Sequence, residues 1–426
     1  MTLLRRLAFW SVAVLFPLPL VLTYNSLARE PELLRFYIVL GLTAYAWWLL
    51  AILLSVRPPW LERLVGLPSI YGLHGMFGVL AIVLAFVHRD NSYSGSRLAI
   101  FLGDWAFYAA LAVFFYSVFF MSGWLVDRVR LLLRVKQVLE RVFHHQVSVW
   151  IHRLNLVVVV MIWLHAHLLV RVNQYFGFMM LFDLYTVTVL SIYVWKKWIA
   201  PDGYLAGTVV GNEVRGGSTR RVSVGLDGTA ENARPGDFFF LQFEDSAEVS
   251  REWHPFSVTD DGQDTLSFTV RQHGDFTRRL GGVRVGTRVR LEGPFGRFES
   301  VVRKQDEDAP LVFLGMGAGV APLISLAAAH HTTRKIHLLW AVRDPGDAYY
   351  RDVLEQYQAA SGDRMQVTIN VGRFRRQDLV DLLPAPVLTK GAFFVVGPSP
   401  AVLANQRLLR RMGVSARRIH QERLTM

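Results

Sequence analysis

The sequence of 426 residues contains no cysteine. Without thiols the chain cannot form a disulfide, a zinc–thiolate site or a cysteine-ligated iron–sulfur cluster, and it has no thiolate to act as a nucleophile. A redox role would therefore need cofactors that other side chains hold.

Charged residues are also scarce, at 19% of the chain against 52% hydrophobic residues. This composition is too apolar for an ordinary soluble protein, and the length is too great for one domain. Six apolar stretches each approach the roughly 20 residues that cross a bilayer. They cover residues 7–24, 34–55, 70–88, 99–122, 149–170 and 178–195. The sequence therefore predicts a six-helix transmembrane domain over residues 1–198, followed by a soluble part.

The distribution of basic residues predicts an orientation in the membrane. Arg5 and Arg6 precede the first span, which lacks a small-residue cleavage site and is therefore expected to be retained. The segment 127–141 and the pair Lys196 and Lys197 are more basic than the loops on the opposite side, which places them and both termini in the cytoplasm. We expect a multi-pass plasma-membrane protein, which in bacteria means the inner membrane.

The net charge of +12 does not by itself indicate a nucleic-acid partner. Much of this charge flanks the predicted spans, where it meets anionic lipid headgroups, and nucleotide phosphates account for part of the rest. We therefore expect membrane lipid as a partner and no nucleic acid.

Four histidines lie in the apolar stretches at two matched spacings, His74 with His88 and His152 with His165. An ionisable ring inside a membrane segment is costly, so such residues usually face the bundle interior and serve a function there. Histidines from facing helices can be the two axial ligands of a haem iron. The set therefore predicts two haems, one near each membrane face. The alternative is that each ring is only hydrogen-bonded within the bundle.

The second spacing is less regular than the first. On an ideal helix, fourteen residues fall about 40° short of four full turns, so His74 and His88 share a face. Thirteen residues, from His152 to His165, leave about 140° of mismatch, whereas fifteen residues, to His167, leave about 60°. Spacing alone therefore favours His167 over His165.

The C-terminal half has a different pattern. From about residue 204 to 300, short β-branched and aromatic runs are broken by turn residues, which predicts a small antiparallel barrel. From about residue 309, strands alternate with helices, which predicts a parallel α/β domain. Its first strand-to-helix turn is Gly315-Met-Gly317-Ala-Gly319-Val-Ala-Pro322. Such a turn can bind a pyrophosphate through close backbone approach and helix N–H groups, or it can serve packing alone.

Four motifs follow one another in a recognisable order along this half of the chain. They are His254-Pro-Phe-Ser257, Arg271-Gln-His-Gly274-Asp-Phe-Thr277, Gly293-Pro-Phe-Gly296 and the glycine-rich turn. This order resembles the ferredoxin–NADP reductase type of dehydrogenase module. With the histidine pairs upstream, the whole chain resembles the NADPH oxidase and ferric reductase superfamily, especially its compact prokaryotic NADPH oxidases. The resemblance implies a transmembrane di-haem domain (1–198), an FAD-binding β-barrel (203–300) and an NADPH-binding α/β domain (308–426).

The resemblance implies three kinds of cofactor, namely FAD, two haems b and NADPH. The haem ligands would be His74 and His88 on one helix, and His152 and His165 on the other. His167 would then lie near the outer haem or be an interfacial histidine. The irregular second spacing would need either helix overwinding or haems at different azimuths.

For FAD, the resemblance implies that His254 and Arg271 contact the phosphates, where arginine forms charge-assisted hydrogen bonds. Phe256 would pack on the flavin ring, and Ser257 would hydrogen-bond near its reactive nitrogen, which makes these two residues the catalytic candidates. Gly274 and Thr277 would cradle the pyrophosphate. The remaining FAD-binding candidates in these motifs are Pro255, Gly293 and Gly296.

For the nicotinamide nucleotide, Arg343 and Arg373 lie where basic residues would meet a 2′-phosphate, which favours NADPH over NADH; the alternative is that either arginine is only solvated. The other candidates are Gly315, Gly317, Gly319, Pro322, Gly397 and Pro398. Two features depart from the family pattern. Val396 stands where the family often has cysteine, and the C-terminus lacks the aromatic residue that frequently stacks over the flavin. Either Leu424 or Met426 would cover the flavin less tightly, or another residue would cover it.

The function implied by the resemblance is that of a transmembrane NADPH oxidase. NADPH would give a hydride to FAD, and electrons would pass singly through the inner and outer haems to extracellular oxygen, forming superoxide, with no obligatory protein partner. Two alternatives share this path: a ferric-chelate reductase, and an electron donor to an outer-face partner protein or a quinone. A haem-binding structural protein with a decayed reductase is disfavoured by the intact order of the nucleotide motifs.

Overall fold

A computed structural model describes residues 10–424, apart from 12, 122–134, 136–138, 140–144, 200–203 and 263. The chain forms two compact units, Met1–Asp202 and Gly203–Met426. Each unit is described separately below.

The N-terminal unit is helical throughout its described part. Its helices are α1 (Leu18–Leu27), α2 (Glu32–Ser55), α3 (Pro59–Val65), α4 (Leu67–Asn91), α5 (Arg97–Phe120), α6 (His145–Arg153), α7 (Asn155–His167), α8 (Val170–Asn173) and α9 (Phe176–Val194), the last continuing into a π-helical turn, Trp195–Ile199.

Five helical segments among the described residues are long and apolar enough to cross a membrane. They are Glu32–Ser55, Ser69–Asn91, Arg97–Phe120, Val147–His167 and Phe176–Ile199. These segments correspond to the second to sixth predicted spans. That the unit crosses a membrane remains a prediction, and the basic segment 127–141 lies almost entirely outside the described residues.

The first predicted span, 7–24, does not form one long helix within the described residues. The chain is helical before Phe16, turns at Phe16 and Pro17, and resumes as α1. Proline has no N–H to donate to the preceding turn and its ring clashes with that turn, so it interrupts a helix. The described apolar helix there, Ala13–Leu27, is shorter than a span. Of the six predicted spans, five therefore correspond to helices among the described residues that are long and apolar enough to cross a membrane.

Helix α2 is the centre of this bundle. It has 61% of its most apolar window buried, whereas the other four candidate spans have 17–33%. Its Tyr45 stacks on Phe182 of α9 with ring centroids 4.8 Å apart, and the Tyr45 hydroxyl hydrogen-bonds the Thr186 hydroxyl at 2.8 Å. Because a buried hydroxyl without a partner is costly, this pair fixes the register between α2 and α9.

A tightened turn separates α6 from α7, between His152 and His165. The N–H of Leu154 donates to the carbonyl of Ile151, three residues earlier, at 3.0 Å, and the Asn155 side chain donates to the His152 carbonyl at 2.8 Å. Bonds between residues three apart wind the chain at about 3.0 residues per turn instead of about 3.6. Local overwinding therefore removes part of the mismatch expected for a spacing of thirteen residues.

The first part of the C-terminal unit is a closed six-stranded barrel with the order β1-β2-β5-β4-β3-β6, in which all pairs are antiparallel. The strands are β1 (Tyr204–Gly216), β2 (Thr219–Leu226), β3 (Phe238–Phe243), β4 (His254–Asp261), β5 (Thr265–Arg271) and β6 (Arg288–Phe295), and a short helix, α10 (Asp275–Arg279), follows β5. The predicted antiparallel barrel is confirmed.

The second part is a five-stranded parallel sheet with the order β11-β10-β7-β8-β9. Its elements are α11 (Phe298–Val302), β7 (Leu311–Met316), α12 (Ala321–His330), β8 (Ile336–Val342), α13 (Arg351–Ala360), β9 (Met365–Val371), α14 (Arg376–Leu382), α15 (Ala385–Lys390), β10 (Ala392–Pro398), α16 (Ser399–Arg411) and β11 (Ile419–Leu424). The predicted parallel-sheet domain is confirmed.

The strand order reverses between β7 and β10. From β7 the sheet grows to β8 and β9 on one side, and to β10 and β11 on the other. In open α/β sheets, ligands bind beyond the carboxyl ends of the strands at such a switch point. The fold alone therefore directs attention to the residues that follow β7 and β10.

A buried carboxylate ties α11 to the end of α12. The Glu299 side chain is 4% exposed, and it lies 2.8 Å from His330 Nε2 and 2.7 Å from Arg303 Nε. Burial acts to raise the pKa of Glu299, but the hydrogen bonds from His330 and Arg303 outweigh it and hold the pKa below its ordinary value of 4.5. A lowered pKa in the folded state means that the ion pair stabilises the fold only while Glu299 is ionised.

Replacing Glu299 with Gln should lower the free energy of unfolding by about 1–3 kcal/mol at neutral pH, because it gives His330 and Arg303 a neutral amide in place of their charged, buried acceptor. As pH falls below 4.5, wild-type Glu299 becomes protonated and the difference should disappear. Denaturant titrations at several pH values, followed by tryptophan fluorescence, measure both effects. The control is Glu213→Gln, which alters an exposed ion pair with Arg215. A pH-independent difference would contradict the argument.

Candidate functional site

The four predicted haem ligands share one hydrogen-bonding pattern. In each ring Nδ1 is engaged by an oxygen on a neighbouring helix. The partners are the carbonyls of Ala51 for His74 (2.9 Å), Tyr37 for His88 (2.8 Å) and Ala99 for His165 (2.7 Å), and the hydroxyl of Ser117 for His152 (2.8 Å). The histidines therefore belong to α4, α6 and α7, and the oxygens that bind their Nδ1 atoms belong to α2 and α5.

These contacts determine which nitrogen of each ring carries the proton. A carbonyl oxygen only accepts, so the Nδ1 atoms facing Ala51, Tyr37 and Ala99 must be N–H donors. The Ser117 hydroxyl donates to the Val113 carbonyl at 2.7 Å, so it accepts from His152 Nδ1. Every ring therefore keeps a lone pair on Nε2. Histidines that bind metal usually donate their second nitrogen in this way.

The rings of His74 and His152 are spaced for one metal ion between them. Their centroids lie 5.7 Å apart. Two collinear metal–imidazole bonds of about 2.0 Å, with the ring dimensions added, place the centroids about 6 Å apart. His88 and His165 are near enough to interact electrostatically. The structure therefore brings the four histidines together as two pairs across helices.

The ligand number suits a haem better than a bare metal ion. In the described ranges no group of three or more His, Asp or Glu side chains could hold a metal ion. A protein metal site usually needs three or four such ligands, whereas a porphyrin supplies four nitrogens of its own and needs only two axial histidines. There is open space beside α4 near His74, since a Cβ atom at Gly75 or Gly78 would meet nothing within 4 Å. These residues fit a haem.

His167 differs from the four candidates because both of its ring nitrogens are engaged. Its Nδ1 lies 2.9 Å from the carbonyl of Trp163 in its own helix, and its Nε2 lies 3.3 Å from Asp183 Oδ1. The Trp163 indole N–H also donates to Asp183 Oδ1, at 2.7 Å. The Trp163–Asp183–His167 cluster therefore joins α7 to α9 and leaves His167 no free lone pair, which the helical spacing could not show.

The glycine-rich turn lies at the switch point of the parallel sheet. Gly315 is in β7, the turn Gly317–Val320 is a single 3₁₀ turn, and Pro322 is in the first turn of α12. A Cβ atom at Gly319 would collide with the Val396 carbonyl and lie 2.7 Å from the Gly397 N atom. Only glycine permits this approach of the turn to the end of β10.

Gly317 adopts φ of +57°, a conformation that favours glycine. Its carbonyl accepts a hydrogen bond from the buried Trp340 side chain at 2.9 Å. The turn is thereby held on β8 as well as on β10, so its backbone N–H groups are presented at a defined place.

A small cavity of about 120 Å³ adjoins this turn. It is bounded by Met316, Arg373 and Asn405, among other residues. Arg373 follows β9 and Arg343 follows β8, and both are exposed at the carboxyl edge of the sheet. Gly397 and Pro398 end β10 at the same edge. The structure thus collects the nucleotide candidates at one edge.

The FAD candidates lie on β4, on β5 and in the turn after β5. His254, Pro255, Phe256 and Ser257 begin β4, which pairs with β3. Ser257 is buried, and Arg271 ends β5. The Arg271 guanidinium lies 3.9 Å from the Asp347 carboxylate, and a Cβ atom at Gly317 would be 3.3 Å from Arg271 Nη1. The barrel motif and the glycine-rich turn therefore meet at Arg271.

The turn after β5 is organised by its own residues. Gly274 has φ of +89°, and the Thr277 hydroxyl accepts from the His273 N–H at 2.7 Å. Phe276 of the same turn stacks on the His254 ring at 3.7 Å between centroids and lies nearly parallel to Phe256 at 6.4 Å. The stacking of Phe276 and the proximity of Asp347 to Arg271 could not be predicted from the sequence, because contacts distant in sequence give no local signal.

Three further candidates have packing contacts. A Cβ atom at Gly293 would lie 2.6 Å from the Phe239 ring, and one at Gly296 would lie 2.5 Å from Asp237 Oδ1. Leu424 pairs with Pro398 across β11 and β10 and packs against the sheet core. Met426, the other residue expected to cover the flavin, lies outside the described residues.

Two family profiles match the C-terminal unit. Residues 221–299 match an FAD-binding domain, and residues 313–378 match an oxidoreductase NAD-binding domain. The first match lies in the barrel and the second in the parallel sheet. The chain therefore contains the FAD-binding and NAD-binding domains of the ferredoxin–NADP reductase family, and it is an oxidoreductase. Neither match reaches the helical unit.

Curated relatives of the chain include reductases of multi-component oxygenase systems. The chain is 29% identical over 158 residues to the reductase subunit of an aromatic O-demethylase from Amycolatopsis sp., covering 34% of this chain and 46% of that one. It is 29% identical over 178 residues to the reductase component of propane 2-monooxygenase from Rhodococcus jostii, covering 38% and 47%. It is 27% identical over 238 residues to the ferredoxin–NAD(P)+ reductase component of the naphthalene 1,2-dioxygenase system from Pseudomonas putida, covering 52% and 69%.

The chain spans about half the length of the first two of these relatives. All three are named as subunits or components of larger systems. The NAD-binding profile and the name of the third relative support NAD(P)H as a binding partner, and the three names do not fit the expectation that no protein partner is needed.

Substituting Gly319 with Ala should raise the KM for the nicotinamide nucleotide roughly tenfold or more, because the added carbon would meet backbone atoms of β10 that cannot move aside, and about 1.4 kcal/mol corresponds to tenfold. NADPH-driven ferricyanide reduction by the purified chain with FAD measures this. Gly228→Ala is the matched control, since a Cβ atom there meets nothing within 4 Å. An unchanged KM for the Gly319 variant would contradict the assignment of the turn.

Proposed function

We propose that the chain is a transmembrane NADPH oxidoreductase that carries electrons from cytosolic NADPH, through FAD and two b-type haems, to extracellular oxygen. The product would be superoxide. Each NADPH would reduce two oxygen molecules, leaving NADP+ and one proton. The domains would be residues 1–198 for the haems, 203–300 for FAD and 308–426 for NADPH.

The observation that carries this proposal is the protonation pattern of the four histidines. His74, His88, His152 and His165 each donate from Nδ1 and keep the Nε2 lone pair within a helical unit of low polarity. Four structural histidines would have no common reason to keep the same nitrogen free. Next to a FAD- and NAD-binding module, two bis-histidine haem sites are the chemistry that this pattern serves best.

In the C-terminal unit, Arg271 and the turn after Gly274 would bind the FAD phosphates, and Phe256 and Ser257 would lie at the flavin ring. Bound FAD accepts an electron pair from a nicotinamide, whereas bis-histidine haems carry electrons singly. The residues of the chain serve to orient these groups. The turn Gly317–Val320 would hold the pyrophosphate of the nucleotide at the N-terminus of α12.

A preference for NADPH over NADH is part of the proposal. Arg343 and Arg373 are exposed at the carboxyl edge of the sheet, and Arg373 also borders the small cavity. A guanidinium group there would contact a 2′-phosphate with charge-assisted hydrogen bonds. This preference is measured as the ratio of kcat/KM for NADPH to kcat/KM for NADH.

A second candidate acceptor is a partner protein. This is favoured by the names of the three relatives, which are reductase parts of larger systems. A ferric chelate is supported less by the structure. Arg89, which follows His88 and could attract an anionic chelate, is paired with Asp104 at 2.7 Å and contacts Tyr108.

The test of the acceptor is NADPH-driven cytochrome c reduction in air by detergent-purified chain with FAD, with and without superoxide dismutase. Dismutase-sensitive reduction together with a reduced b-type haem spectrum is the expected result. Reduced haem with little superoxide would indicate that the electron acceptor is a partner protein or a ferric chelate. Protein that binds no haem would contradict the proposal.

The ligand set makes a separate prediction. His165→Ala should lose one of two haems, because it removes an Nε2 lone pair, whereas His167→Ala should retain both, because its nitrogens are engaged by Trp163 and Asp183. The haem-to-protein ratio from the pyridine haemochrome spectrum measures this. The opposite result, loss of haem in the His167 variant alone, would restore the assignment that helical spacing favoured.

A further inference from the structure

Two of the four histidine rings rest directly on glycines of neighbouring helices. A Cβ atom added at Gly41 of α2 would lie 2.8 Å from His88 Nδ1 and 2.9 Å from its Cε1. One added at Gly103 of α5 would lie 2.9 Å from His165 Cε1 and Nδ1. Real Cβ atoms essentially never approach ring atoms this closely. Both rings therefore occupy space that any other residue type would fill.

Each glycine stands in the same relation to the hydrogen bond of its ring. Tyr37, which accepts from His88 Nδ1, lies four residues before Gly41, and Ala99, which accepts from His165 Nδ1, lies four residues before Gly103. Residues four apart lie on one face of a helix, one turn from each other. Each ring is thus hydrogen-bonded at one turn and lies flat on the bare backbone of the next.

The His74–His152 pair is held differently. Ser55 of α2, four residues after the Ala51 whose carbonyl accepts from His74, has a side chain where Gly41 and Gly103 have none. His152 is held by the Ser117 side chain. The arrangement of carbonyl and glycine therefore distinguishes the His88–His165 pair from the His74–His152 pair.

We propose that Gly41 and Gly103 are positioning residues for the His88–His165 pair, which set the rotation of the two imidazole rings and with it the ligand geometry of one haem. This inference rests on the haem binding proposed above. His88 Nδ1 also lies 3.2 Å from the Ser92 hydroxyl, but hydrogen bonds at one nitrogen still allow each ring to turn about that nitrogen, whereas contact with the glycine backbone removes that freedom. Neither glycine has a side chain that could bind a metal, so each would act through a histidine.

Ordinary helix packing is the competing explanation, because small residues also allow membrane helices to approach closely. The two explanations differ in what they predict. A packing defect in α2 or α5 would weaken both haem sites, since α2 also holds His74 through Ala51 and α5 also holds His152 through Ser117. A positioning defect would affect only the His88–His165 site.

The experiment compares Gly41→Ala and Gly103→Ala with wild type and with Gly177→Ala, a control in α9 where a Cβ atom would meet nothing within 4 Å. The readouts are the haem-to-protein ratio, the low-spin EPR signals and a potentiometric titration of the haem absorbance. Variants His74→Ala and His88→Ala identify which signal belongs to which site. None of these readouts requires NADPH turnover.

We expect each glycine variant to lose the EPR signal and the redox step of the His88–His165 site, or to shift that step, while the other site keeps its signal. Unchanged signals from both sites would overturn the proposal. Loss of both haems together would also overturn it, in favour of packing. Wild-type protein without haem would instead remove the proposed function, which separates the two failures.

Discussion

The N-terminal unit depends on hydrogen bonds from the Nδ1 atoms of four histidines to oxygens of α2 and α5. Each bond satisfies a polar group where water is scarce, and each also selects the tautomer that keeps Nε2 available. Since three of the four acceptors are backbone carbonyls, the pattern depends on helix placement more than on side-chain identity. Small changes in the position of α2 or α5 would therefore move the hydrogen-bond acceptors of the histidines.

The C-terminal unit depends in a similar way on close backbone approach. Gly319 lies against the end of β10 and Gly317 is held by Trp340, so the turn after β7 is shaped by two neighbouring strands. Arg271 then brings the end of the barrel strand β5 to this turn. One FAD candidate and the glycine-rich turn of the nucleotide candidates consequently lie next to each other within the unit.

Much of this organisation could be predicted from the sequence, because it follows from local periodicity. The alternation that marks β2 or β5 and the apolar run of β7 show the barrel and the parallel sheet directly. Other features depend on contacts distant in sequence and could not be predicted. Helical spacing favoured His167 because it assumes an ideal helix. It takes no account of the tight turn at Leu154 or of the Asp183 carboxylate that contacts His167.

Not every local signal led to the right expectation. Hydropathy alone marks residues 7–24 as one span, yet Pro17 divides the described part of that stretch. The expectation that the chain needs no obligatory protein partner does not fit the names of the curated relatives. Phe276 is distant in sequence from His254 and Phe256, so its stacking on the His254 ring could be found only in the structure.

The low burial of the histidine-bearing helices has a consequence for how the chain matures. The segment Val147–His167 has only 17% of its apolar window buried and Ser69–Asn91 has 28%, against 61% for the central helix. If two haems bind between these helices as proposed, they would add contacts to the least buried helices, and binding energy would become folding energy. The supply of haem in the cell would then limit how much of the protein survives quality control, before any electron is transferred.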